Sequence, residues 1–91
     1  MREVFSQPGD ENVPVTQQEF CELRISDQSS SWNPGFTVTQ WWIRWSEIDR
    51  QFMGEDVEIE RWPTLQKAQE RYEARREALI AKGFVHADIV F

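Results

Sequence analysis

The stretch FTVTQWWIRWSEI at 36–48 constrains this chain most, because β-branched and aromatic residues dominate it and neither Pro nor Gly interrupts it. Such a run packs well on a pleated surface, so a long strand is predicted, with a sheet around it. Alternation places Trp41, Ile43 and Trp45 on one face and Trp42 and Arg44 on the other. Phe36 and Val38 share the parity of Trp42, so either a bulge near Gln40 switches faces or both faces are partly covered. In a chain of 91 residues, Trp41, Trp45 and Trp62 are expected to fill the core. Trp42 then either lies under the N-terminal segment or forms an exposed anchor.

The flanking segments extend this sheet. In TQQEFCELRIS, Thr16 and Glu19 have capping-box spacing with Val15 and Phe20 as a hydrophobic staple. Cys21, Leu23 and Ile25 alternate with Glu22, Arg24 and Ser26, a longer pattern that predicts a strand instead. The polar segment 26–35 ends in Asn33, Pro34 and Gly35 and reads as a hairpin loop. After a turn at 49–54, EDVEIERW alternates again, with Val57 and Ile59 expected inward and Glu58 and Glu60 outward. Pro63 ends that strand and Thr64 is a candidate N-cap. A helix of about five turns follows, closed by Lys82 and Gly83, with Leu65, Ala68, Tyr72, Ala78 and Leu79 as its apolar stripe. FVHADIVF at 84–91 suggests a closing strand. Residues 1–15, rich in Pro, Gly and polar groups, read as a flexible or loosely docked N-terminal arm that Val4, Phe5, Val13 and Val15 could pin. The expected architecture is therefore α+β: one domain over 16–91, with an antiparallel sheet of three or four strands packed against one long helix.

Composition narrows the chemistry. A chain of this length buries roughly 60–65% of its unfolded surface, enough for one core, and 40% hydrophobic residues argue against wholesale disorder. No apolar run of roughly 18 residues is present and the N-terminus does not read as a signal peptide, so no membrane association and a cytoplasmic location are expected. Cys21 and His86 are each the sole residue of their type, which excludes an intrachain disulfide and multi-cysteine metal sites. Cys21, beside Glu19 and Glu22 with no cationic neighbour, is expected to be a packing residue. No nucleophile, base and orienting group can be assembled, and Glu47 with Asp49 in one turn does not make an acid and base pair. No catalysis, cofactor or metal is expected.

The net charge is −6 and unevenly spread: residues 1–64 hold five basic against twelve acidic groups, whereas 65–91 hold five against four. Nonspecific attraction to phosphate backbones is disfavoured by such a balance. Arg71, Arg75 and Arg76, with Lys67 one turn before, form a basic cluster on the helix. It reads as a solvated face paired with Glu70, Glu73 and Glu77, or else as a contact for an acidic partner or a nucleic acid. Glu55, Asp56, Glu58 and Glu60 read as an acidic sheet face or an edge charged against strand addition. They could also mimic a phosphate surface for a basic protein.

Three segments taken together resemble the WGR domain, a small α+β module of some poly(ADP-ribose) polymerases and bacterial proteins. EFCELRI at 19–25 is similar to the family's opening strand, RWSEID at 44–49 to its signature RWGRxG, and WPTLQKAQERYEARREALIAKGF at 62–84 to its helix with a closing Gly-aromatic pair. Arg44, Trp45 and the aliphatic Ile48 are kept, whereas Ser46, Glu47 and Asp49 replace Gly, Arg and Gly. The family's signature Trp and the Arg two places after it help hold a DNA end, and that Arg corresponds to Glu47, where a carboxylate would repel a phosphate. The resemblance therefore implies an interaction module. The expected partner is a protein, bound through Trp42, Arg44, Trp45, Glu47, Asp49, Arg50, Glu58 and Glu60, with the chain acting as an acidic regulator or inhibitor of a nucleic-acid-binding protein. Two alternatives stand beside it: a DNA-binding module using Arg44, Trp45, Arg50 and the helix residues Arg71, Arg75 and Arg76, and a homo-oligomer built through strand 84–91.

Overall fold

In a computed structural model that describes residues 1–8, 12–29 and 35–89, five antiparallel strands form one sheet that packs against a single helix. The strands are β1 (Arg2–Gln7), β2 (Glu19–Asp27), β3 (Phe36–Ser46), β4 (Gln51–Trp62) and β5 (Val85–His86), in spatial order β4-β3-β2-β1-β5. The helix α1 (Leu65–Ala81) lies between β4 and β5 in the chain. A 3₁₀ turn at Val15–Gln17, without a side-chain cap, precedes β2, so the strand pattern prevails over the capping-box spacing of Thr16.

The expected arm contains a strand. Arg2–Gln7 pair with β2 from Arg2 opposite Arg24 to Gln7 opposite Glu19, and Val4 and Phe5 are buried. Four of the six residues of β1 are polar, which hides a short strand whose two apolar side chains lead to opposite faces. Of the closing segment 84–91, Val85 and His86 pair with β1; residues 90 and 91 lie outside the described residues, as do 9–11 and residues 30–34 of the expected hairpin loop.

Cross-strand register decides which face the helix covers. Phe5 stands opposite Cys21, Cys21 opposite Trp42, and Ile25 opposite Val38, so these side chains share one face. There they meet Ala68, Tyr72 and Leu79 of α1 and Phe84, forming the main core, with Phe36, Trp42 and Trp62 packed at its margin. Tyr72, Phe5, Leu23 and Leu79 are essentially fully buried, and each such side chain stabilises the fold by roughly 1.5–3 kcal/mol relative to exposure. The opposite face carries a smaller cluster of Val4, Phe20 and Ile43, covered by Phe52, Ala87 and Ile89. No helix is long and apolar enough to cross a membrane among the described residues.

Two face assignments are thereby corrected. Trp42, not Trp41, packs beneath the helix, and Trp41 is 46% exposed on the opposite face. In β4, Glu58 stands opposite Gln40 and Glu60 opposite Val38, which turns both carboxylates toward the helix and leaves Val57 and Ile59 on the open face. No bulge lies at Gln40: β3 keeps its alternation and both of its faces are partly covered, while the bulge falls in β4, where Trp42 faces Asp56 and Ile43 faces Gly54 and Glu55 is the extra residue.

Candidate functional site

The RWSEID segment ends β3 and enters a turn over residues 47–50. Ser46 organises it: its Oγ accepts the Asp49 N–H at 3.1 Å and donates to Asp49 Oδ2 at 3.2 Å, while the Arg50 N–H donates to the Ser46 carbonyl at 2.8 Å. Arg50 takes up the left-handed conformation, φ 53°, that returns the chain into β4. The turn therefore closes without a glycine. Ile48 stands at its tip, 95% exposed.

Behind the tip, Trp45 is half-buried and meets the Phe52 ring edge-on at 5.1 Å, and Phe52 meets Phe20 in the same way at 5.5 Å. Arg44, on the other side of the strand, bonds to Glu19 and lies 3.5 Å from Glu55. Arg44, Trp45 and Glu47 border an open depression with Thr16, Gln17, Gln18 and Glu19. The structure thus gathers Arg44, Trp45, Glu47, Asp49 and Arg50 at one end of the sheet, with Arg44, Glu47, Asp49 and Arg50 exposed to solvent.

The remaining candidates lie elsewhere. Arg75 Nε donates to Glu60 Oε2 at 2.5 Å, and its Nη1 donates to Glu58 Oε2 and to the buried Gln40 Oε1, each at 2.7 Å. Arg71 Nε donates to Glu60 Oε1 at 3.0 Å and its guanidinium sits over the Trp62 ring. Arg76 bonds to Glu3, which also accepts the Tyr72 hydroxyl proton at 2.6 Å. The helix arginines are therefore partnered across the sheet rather than by Glu70, Glu73 and Glu77 of their own helix, because the same helix stripe that buries Tyr72 and Leu79 carries them inward. Trp42, Glu58, Arg71 and Arg75 line a groove between α1 and the sheet.

Burial alone would raise the Glu60 carboxyl, but hydrogen bonds and charge from Arg75 and Arg71 outweigh it and hold it below its ordinary range. Glu3 behaves likewise, with Tyr72, Arg76 and His86 opposing the effect of burial. Burial pushes the Cys21 thiol up to about 11, which keeps it protonated and suits a packing role. No group of His, Cys, Asp and Glu side chains able to hold a metal occurs among the described residues.

Sequence reasoning missed the open half of the sheet. Trp41, Val57 and Ile59, the last 64% exposed, form an apolar strip beside Arg2, Arg24 and Glu22. Gly54 makes room for it, since a Cβ there would strike the Trp41 indole. The shared parity of Phe36, Val38 and Trp42 was the signal that the helix lies on the other side. No family model, curated protein or solved structure matches the chain.

Proposed function

We propose that this chain is a cytoplasmic, non-catalytic, WGR-like interaction module that binds a basic protein partner, acting as a small acidic regulator of a nucleic-acid-binding protein. One observation carries this reading. Arg71, Arg75 and Arg76, the helix cations on which the DNA-binding alternative draws beside Arg44 and Arg50, are engaged by Glu60, Glu58 and Glu3 of the sheet, while Glu47, Asp49, Glu55 and Asp56 remain exposed around the hairpin. A phosphate backbone would have to compete with those internal carboxylates and approach a surface of its own sign. Further support comes from the order of strand, RWSEID hairpin and helix with a closing Gly-aromatic pair, and from the exposed apolar strip, which offers a protein more than it offers a phosphate.

Titration of a labelled short duplex DNA at low salt tests the reading, with anisotropy as the readout. No saturable binding is expected. Tight binding that weakens steeply as salt is added would establish the DNA-binding alternative through Arg44, Trp45 and Arg50 and overturn the proposal.

A further inference from the structure

β4 forms one side of the sheet, with no strand beyond it among the described residues. Which of its backbone groups face outward follows from the ladder. The Ile25 N–H donates to the Met1 carbonyl at 2.9 Å, so odd-numbered residues of β2 direct their backbone groups toward β1 and even-numbered ones toward β3. Trp41 and Thr39, opposite Glu22 and Arg24, therefore bond toward β2. Val57 and Ile59, opposite Trp41 and Thr39, are left with N–H and C=O directed away from the sheet. The Val57 N–H agrees with this assignment, because it is taken up by the neighbouring Asp56 carboxylate at 2.9 Å.

The side chains along this edge alternate in chemistry. Val57 and Ile59 extend the apolar strip of Trp41 on the open face. On the helix face, Asp56 is exposed and Glu58 keeps 54% of its side chain exposed after giving one oxygen to Arg75. Glu55 bulges out beside them. Antiparallel pairing of two such edges would set Asp56, Glu58 and Glu60 against the same carboxylates of a second copy, which is destabilising. An edge that repels itself and presents apolar and acidic positions in turn suits a segment of opposite charge with the same period.

We propose that the outer edge of β4 is a strand-addition site for an extended segment of a partner protein in which basic and apolar residues alternate. This rests on the reading of the chain as a protein-binding module and specifies where and how it binds. Residues 56–62, beyond the bulge, give a straight edge of about 20 Å. Main-chain bonds to Ile59, and to Val57 once its N–H exchanges the Asp56 carboxylate for the partner's carbonyl, hold the added strand; its apolar side chains lie beside Val57 and Ile59, and its cations meet Asp56 and Glu58.

The test uses the full chain, isotopically labelled, and a capped nonapeptide of alternating lysine and valine. At saturation, hydrogen exchange of the Val57 and Ile59 amides is expected to slow by about tenfold or more. Ile59→Pro removes an N–H that β3 does not use, and is expected to weaken the peptide about tenfold with the fold retained. Two further peptides, N-methylated at alternate residues in either register, need no change to the protein; one of them should lose binding by about tenfold. The proposal is overturned if both methylated peptides bind like the parent, if protection appears away from β4, if a glutamate and valine peptide binds equally, or if no peptide binds at low salt. Peptide failure with DNA also unbound removes the edge site alone, whereas salt-sensitive DNA binding removes the module reading itself.

Discussion

At Glu60 a carboxylate of the sheet meets Arg75 at 2.5 Å and Arg71 at 3.0 Å, with its side chain only 20% exposed. Its carboxyl titrates below its ordinary value of 4.5 in the folded protein, so the folded state binds that proton less readily than the unfolded chain. The stabilisation is therefore complete above the ordinary carboxyl range and is lost as the pH falls through the lowered, folded value. Glu3 adds to the same acid limb through Tyr72 and Arg76. Glu60→Gln leaves Arg75 with Glu58 and Gln40, and is expected to cost about 1–3 kcal/mol near neutral pH. The same variant should lose less further stability on acidification than the parent does. Urea unfolding at a series of pH values reads both effects, and parallel acid limbs for the two proteins would refute the charge account of this contact.

Helix α1 is fixed at both ends by its own sequence. The Thr64 hydroxyl accepts the Lys67 N–H at 3.2 Å, which satisfies one of the unpaired donors of the first turn. At the other end Gly83, φ 95°, sends its N–H to Ile80 O and the Phe84 N–H to Leu79 O, both at 3.0 Å, and Phe84 and Leu79 are buried together. Gly83→Ala is expected to cost about 1 kcal/mol in a thermal or chemical melt, since a side chain is strained in that conformation and Gln7 lies 3.3 Å from where the Cβ would stand. Gly83→Asn should recover part of the loss. These caps, like the long strand β3 and the alternation in β2, were legible because local residue chemistry determines them. The faces of β3 and β4 were not. Both faces of β3 carry large apolar side chains, so only the register against Cys21, Leu23 and Ile25 shows which one lies under the helix. The acidic residues of β4 read as solvent-facing because the arginines that neutralise them are 11 to 17 positions away in the chain. For the site, the exposed hairpin was foreseeable from its polar turn, but the strip of Trp41, Val57 and Ile59 was hidden by the usual rule that apolar positions in an alternating strand point inward.

Across the molecule, the two faces of the sheet differ in how they are closed. One is sealed by α1, with apolar contacts at its centre and ion pairs along its margin; the other is covered near β1 by Ala87 and Ile89 and left open near β4. β1 is the element that binds these halves together. Its Phe5 enters the main core, its Val4 enters the opposite cluster, its Glu3 receives Tyr72 and Arg76, and its backbone bridges β2 to β5. Removing residues 1–8 would therefore open both clusters at once, expose the paired edge of β2 and leave β5 without a neighbour. Loss of two buried side chains of this size costs about 4–8 kcal/mol, comparable to the whole stability of a small domain. The truncated chain is expected to show no cooperative unfolding transition by circular dichroism and to bind dyes that report exposed apolar surface. A loosely docked arm would leave the transition nearly where it stood, and that result would mean the sheet is complete without its first strand.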